Sequence, residues 1–184
     1  MKSHALTAVA VVLAVAACNR SEPEADLNQM VLSDDVSNET ASAATEPAAI
    51  DSAFVTDAIK GDNGEVAIGQ LAQAQGQSQA VKDFGKLLVS DHGAHKQELA
   101  ALAQTAGVPV TNEPTDEANA NLEKLKGLRG ADFDKQFKTM MVEDHTKDIA
   151  KYEKQASSGD TQTAALAQKT LPTLRKHLDA ANAL

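Results

Sequence analysis

The sequence predicts an all-α protein, a four-helix bundle with a polar layer at mid-height, and three observations predict it. Aromatic residues are only 3% of 184 and tryptophan is absent. The core must then be built mainly from Leu, Ala, Val, Ile and Met, which suit closely packed helices better than a sheet rich in aromatic and β-branched residues. Apolar residues also recur at helical spacing in four long stretches beyond residue 50. Finally, one of these stretches returns 53 residues later: Phe84, Val89, Asp91 and His92 have their counterparts in Phe137, Val142, Asp144 and His145. Both copies set charged groups against an apolar stripe at the same depth. An acid facing a core is costly unless it is paired, hydrogen-bonded or bound to a cation. A chain that does this twice needs a reason.

The totals exclude some functions. A formal net charge of −9 argues against a nucleic-acid partner, which demands a basic face, and favours attraction to cations. The single cysteine, Cys18, leaves no disulfide framework within the chain.

Residues 1–17 read as an export signal. Lys2 supplies a short positive region, and residues 5–17 are small and apolar apart from Thr7. That run is too short to span a bilayer and matches a signal-peptide core. It ends Val15-Ala16-Ala17-Cys18, which resembles the bacterial lipobox, with Cys18 as the acylated residue. Resemblance to Gram-negative lipoproteins adds that Asn19, in place of an aspartate, points to the outer membrane facing the periplasm. The alternative is an ordinary cleavage site with an incidental cysteine. Residues 18–49, rich in Ser, Glu, Asp, Thr and Ala with Pro23 and Pro47, read as a disordered tether, because they bury too little apolar surface to offset their ordering entropy. A short helix over 27–36 is compatible with the pattern and carries no function.

The bundle occupies 50–184. A first long helix over about 51–75 puts Ile50, Phe54, Ala58, Ile68 and Ala72 on one face, with Glu65 in its middle. Gly61 and Gly64 mark a kink or a close helix–helix approach. After a tight turn at Gly76 and Gln77, Ser78 is the expected N-cap of the second helix and Gly107 its C-terminal stop. Its face is Val81, Phe84, Leu88, Leu99, Leu102 and Ala106, with Asp91 and His95 within the stripe and His92 at its edge. Residues 108–131 form a long connection, extended over 108–114, with a short helix capped by Thr115 and running to 126. A connection of that length can cross the bundle and make the second and third long helices parallel. The third begins near Asp132 and ends by Gly159. Phe133, Phe137, Met140, Met141 and Tyr152 define its face, with Asp144 and Asp148 inside it and His145 at its edge. Asp160 is the expected cap of the fourth helix, whose stripe is Ala167, Leu171, Leu174, Leu178 and Ala181, bordered by His177. Pro172 falls inside this helix, where a kink is expected.

Folding these helices as hairpins about residues 78 and 159 brings the polar groups to one level: Glu65, Asp91, His92, His95, Asp144, His145, Asp148 and His177. Facing helices that present carboxylates and imidazoles inward are how bundles build metal sites, and this mixture suits Zn, Fe, Mn or Cu better than Ca. Glu65, His92 and His145 lead as ligands. Asp91 and Asp144 are ligands or the groups that orient the histidines, with His95, Asp148 and His177 behind them. Glu98 reads as solvated. Two plainer readings stay open, a hydrogen-bonded network that sets helix register and a solvated groove.

The ordered set Gly64-Glu65-Val66-x-x-Gly69-x-Leu71-Ala72, Val81-Lys82-x-Phe84, Asp91-His92, Asp132-Phe133-Asp134, His145 and Leu171-Pro172-x-Leu174-x-x-His177-Leu178 resembles the bacterial domain of unknown function 4142, DUF4142, over roughly residues 50–183. The resemblance implies a ferritin-like four-helix bundle, often behind a signal peptide, and no established activity. Ferritin-like di-iron proteins carry Glu-x-x-His pairs, and no glutamate here is followed by a histidine three residues on. The resemblance is therefore one of fold, without a di-iron oxidase or iron-storage site. Two functions follow as expectations. One is a lipid-anchored envelope protein that binds a transition metal through the mid-bundle layer. The other is a non-catalytic stress or scaffolding module working through an unidentified protein partner. Hydrolase chemistry is disfavoured, because no nucleophile elbow, Gly-rich phosphate loop or zincin motif is present.

Overall fold

A computed structural model of the chain describes residues 50–159 and 161–184. The signal segment, Cys18 and the tether lie outside the described residues. Five helices are formed: α1 Ser52–Gln75, α2 Gln79–Thr105, α3 Asp116–Lys126, α4 Gly130–Ala156 and α5 Gln162–Ala183. Local chemistry sets most of their ends. Asp51 caps α1 by accepting from Phe54 N–H, Ser78 caps α2 through Val81 N–H, and Thr115 caps α3 through Ala118 N–H. Gly107, at φ 66°, closes α2 in the left-handed region that glycine enters at no steric cost. The cap of α5 is Thr161, whose hydroxyl accepts from Ala164 N–H, in place of the expected Asp160. α5 runs through Pro172 as one element, with the proline exposed.

Contacts along the helices give their directions. Phe84 meets Phe137, His92 meets His145 and His95 meets Tyr152, so α2 and α4 run parallel with the sequence repeat in register. α1 is antiparallel to both: Phe54 packs edge-on against Tyr152 at 5.0 Å, and Asp62 reaches His92. α5 is antiparallel to α4, with Lys138 bonding the Asn182 carbonyl at one end and Gln155 bonding Thr163 at the other. Two antiparallel hairpins joined by a crossover that carries α3 make a ferritin-like four-helix bundle. Asn63 holds the crossover in place by donating to the carbonyls of Thr111 and Glu113. Asp134 stitches the α1–α2 turn to α4, accepting from Gln77 N–H and Ser78 N–H at 2.8 Å each. Burial would raise the Asp134 carboxyl, and these backbone donors more than offset it and hold it below the usual range. No helix among the described residues is long and apolar enough to cross a membrane.

The core comes in two apolar blocks. One gathers Ile68, Val81, Phe84, Leu88, Phe133, Phe137 and Met141, and the other Phe54, Val55, Ile59, Leu99, Tyr152, Ala167 and Leu174. All four phenylalanines and the only tyrosine are buried in them, so the few aromatics contribute more to the core than composition implies. The apolar stripe of α2 ends on Ala103, with Ala106 exposed and Leu102 half-buried. Along every long helix the buried charged residues and histidines fall between the two blocks, while Gln155 and Thr163 bond each other at the bundle end.

Candidate metal centre

The dividing layer is assembled from all four long helices, and the eight residues picked out by sequence do come to one level. Their order within it differs from the sequence reading. His92, His145 and His177 are buried, whereas Asp91, Asp144 and Asp148 are only half-buried. The histidines, expected at the stripe edges, occupy the centre. The hairpins explain the change. α1 and α2 pair about Gln77, one residue before the assumed pivot, and α4 and α5 pair about Thr161, two beyond it. His177 therefore stands directly opposite His145, and Asp62, not Glu65, stands opposite His92.

Asp62 is the residue that sequence reasoning missed. It is buried and accepts from two imidazoles, His92 Nδ1–H at 2.8 Å and His95 Nδ1–H at 2.9 Å. Burial would raise its carboxyl, but the two imidazole bonds outweigh that and keep it below the ordinary carboxylate range.

The acceptors fix the tautomers. An ionised carboxylate and a backbone carbonyl can only accept. His92 therefore carries its proton on Nδ1, toward Asp62, and its Nε2 is a lone pair, buried and without a partner. His145 donates Nδ1–H to the Met141 carbonyl at 3.0 Å, so its Nε2 is also a lone pair. His177 donates Nε2–H to Asp91 at 2.9 Å, leaving the lone pair on Nδ1. His145 Nε2 and His177 Nδ1 then face each other at 3.2 Å, two acceptors with no proton to share. A doubly protonated His145 would relieve the clash. Burial first, and then the neighbouring His92 and His177, push its pKa down to about 3 and keep it neutral. Burial likewise lowers His177, against the pull of Asp91.

One ring nitrogen from each of His92, His145 and His177 lies within 4.8 Å of the others. Two nitrogens bound to one tetrahedral ion at ~2.05 Å sit about 3.3 Å apart, close to the 3.2 Å seen between His145 and His177. Each imidazole is also oriented from behind by a carboxylate or carbonyl, as metal-ligating histidines are. Phe84 lies against His145 and His177, with ring centroids at 6.3 and 6.1 Å, and walls the histidine trio from below.

The acids form a second group. Glu65, Asp144 and Asp148 each offer an oxygen within 4.8 Å of the others, and Glu65 Oε1 lies 3.9 Å from His145 Nδ1. Among the described residues, no N–H reaches either Glu65 oxygen. Its only route to a hydrogen bond is a proton shared with Asp144. Burial first, and then Asp144 and Asp148, push its carboxyl well above the ordinary range. Burial and Asp144 raise Asp148 to about 6. Solvent reaches this group through a cleft of about 280 Å³ beside α3. Asp91 and His95 line a smaller one of about 230 Å³ between α2 and α5. A larger apolar groove of about 460 Å³, at Leu102 and Leu166, holds none of the layer. Glu98 is exposed and pairs with Lys169.

Fold and site together define a class: a ferritin-like four-helix bundle with a buried histidine–carboxylate layer and without the Glu-x-x-His pairs of di-iron proteins. The sequence profile of a domain of unknown function, DUF4142, matches residues 36–184, and the chain belongs to that family. Among solved structures it is similar to a DUF305 fragment from Deinococcus radiodurans, with 16% identity and a TM-score of 0.64 over 74% of this chain and 96% of that one. At that identity the likeness speaks for the fold alone. No curated protein matches the chain in sequence.

Proposed function

We propose that this bundle is a metal-handling protein of the cell envelope that binds one transition-metal ion through His92, His145 and His177. The carrying observation is the facing pair of imidazole lone pairs, 3.2 Å apart in a dry layer, with the unpartnered His92 Nε2 beside them. A cation resolves that conflict. Three imidazoles suit Zn or Cu best. Asp62, Asp91 and the Met141 carbonyl orient the ligands and offset the added charge. Cys18 is the proposed lipid attachment, holding the bundle at the outer membrane on its periplasmic side.

Elemental analysis of protein purified without chelator or nickel resin tests the reading. About one metal per chain is expected, lost in the His92→Ala/His145→Ala double variant while far-UV circular dichroism stays helical. A metal-free protein that takes up none of Zn, Cu, Fe or Mn overturns it. In the same cells Cys18→Ser should move the protein from the membrane to the soluble fraction, and an unchanged distribution removes the anchor. The second reading, a structural network beneath a scaffolding surface, is favoured by the hydrogen bonds that already hold His145 to the Met141 carbonyl and His177 to Asp91. It predicts no metal and loss of stability in Asp91→Ala.

A further inference from the structure

The acids beside the histidines pose a separate problem. Glu65 is 2% exposed and neither of its oxygens has a donor. Asp144 and Asp148 stand one turn apart on α4 and face it, a spacing at which like charges repel. The two nearest lysines are committed elsewhere: Lys147 donates to Glu117 at 2.5 Å and Lys151 is bonded to Asp57. Among the described residues, Asp144 and Asp148 form no ion pair with a lysine, arginine or histidine. Three carboxyls thus converge with no protein cation to balance them, at the end of an open cleft that Asn121 and Thr115 also line.

We propose that Glu65, Asp144 and Asp148 form a second cation site, for a hard divalent ion of the Ca or Mn class entering through the cleft beside α3. The donor set is all oxygen, which such ions prefer and which differs in kind from the imidazole trio. The size agrees. Oxygens bound to one Ca-sized ion at about 2.3–2.6 Å lie no more than about 4.6–5.2 Å apart, and the three carboxyl oxygens lie within 4.8 Å of one another. Cleft water and the Asn121 side chain complete the coordination. The site does not depend on the histidine reading, because the ligands of the two are distinct.

The probe is Mn²⁺, followed by its electron paramagnetic resonance signal on the full chain, with Ca²⁺ as competitor. Wild-type protein should bind one equivalent, displaced by Ca²⁺. Glu65→Gln and Asp148→Asn should each weaken binding at least tenfold, with unchanged circular dichroism. The His92→Ala/His145→Ala variant should bind Mn²⁺ as wild type does, so failure of the histidine site leaves this one standing. Two results overturn the proposal. One is no Mn²⁺ uptake at millimolar concentration by folded wild-type protein, which would mean that the carboxyls balance themselves with a shared proton. The other is binding that survives both carboxyl substitutions, which would place the ion on surface acids.

Discussion

Glu65 is buried at a cost that no donor among the described residues offsets. It is a carboxyl with no donor, deep in the layer, beside two other acids. Its pKa is raised on folding by burial and by Asp144, so its contribution to stability is complete below the unfolded value near 4.5 and is lost as pH rises through the folded one. A glutamine has the same shape, does not titrate, and brings an N–H that can donate to Asp144. Metal-free Glu65→Gln should therefore be more stable than wild type, by on the order of 1–3 kcal/mol at pH 8, with the gain shrinking toward pH 5. Urea midpoints at the two pH values measure it, and an equal gain at both would show that the Glu65 carboxyl titrates in the fold as it does in the unfolded chain. The histidines work in the opposite sense. His145 is held neutral with its pKa near 3, so its contribution is complete above about 6.5 and falls away as pH drops through the folded value. Asp62 shows the other way to keep a buried acid: two imidazole donors hold it ionised where Glu65 has none.

At the scale of the helix, α1 and α2 approach closely where two glycines cross. A methyl added at Gly85 would stand 2.6 Å from the Gly69 carbonyl and 2.9 Å from Ala72 Cβ, and one at Gly69 would meet the Gly85 carbonyl at 2.8 Å. Both obstacles are rigid. Gly85→Ala should destabilise the protein by about 1–3 kcal/mol by prising α1 from α2. Gly93, the residue after His92 on the same helix, meets nothing within 4 Å, and Gly93→Ala should stabilise by up to about 1 kcal/mol through helix propensity. Thermal unfolding of the pair gives a contrast that a general dislike of substitution in α2 would not produce. Of the glycines singled out by sequence, Gly64 does mark a close approach, 2.4 Å from Ala118 Cβ of α3 for an added methyl, whereas Gly61 faces open space. This is where sequence reading divides. Caps such as Ser78 and Thr115 and the stop at Gly107 act within a few residues, so helices and boundaries were legible, while the 53-residue repeat suggested a parallel register without deciding it. The meaning of Gly69 and Gly85 exists only once two helices touch. Asp62 stayed hidden for a related reason. α1 is covered by α2, α3 and α4 together, so its buried arc is too wide for one apolar stripe to show which polar residue faces inward. The pivot also lies one residue earlier than assumed, which sets Asp62 opposite His92.

For the molecule as a whole, the layer is both the weakest part of the core and the part that joins all the helices. Two apolar blocks sit above and below it, and between them the protein places five buried or half-buried acids and four imidazoles where a bundle of this size would otherwise place Leu and Ala. Without a cation this middle section is poorly balanced. With one, His92, His145 and His177 tie α2, α4 and α5 to a single point. An ion that binds only the folded state stabilises it by about 2.7 kcal/mol at a hundred times its dissociation constant. For a bundle of this length that corresponds to a rise in Tm of about 10 °C. The expected result is therefore a rise of that size when zinc or copper is added to metal-free protein, reversed by chelator. It should be absent from the His92→Ala/His145→Ala variant and intact in Glu65→Gln, whose ligands are not shared. A rise that persists in the histidine variant would mean that the ion stabilises from the surface. The polar layer would then be a network for setting register, and its cost in stability would be what the bundle gives up to hold two hairpins in parallel alignment.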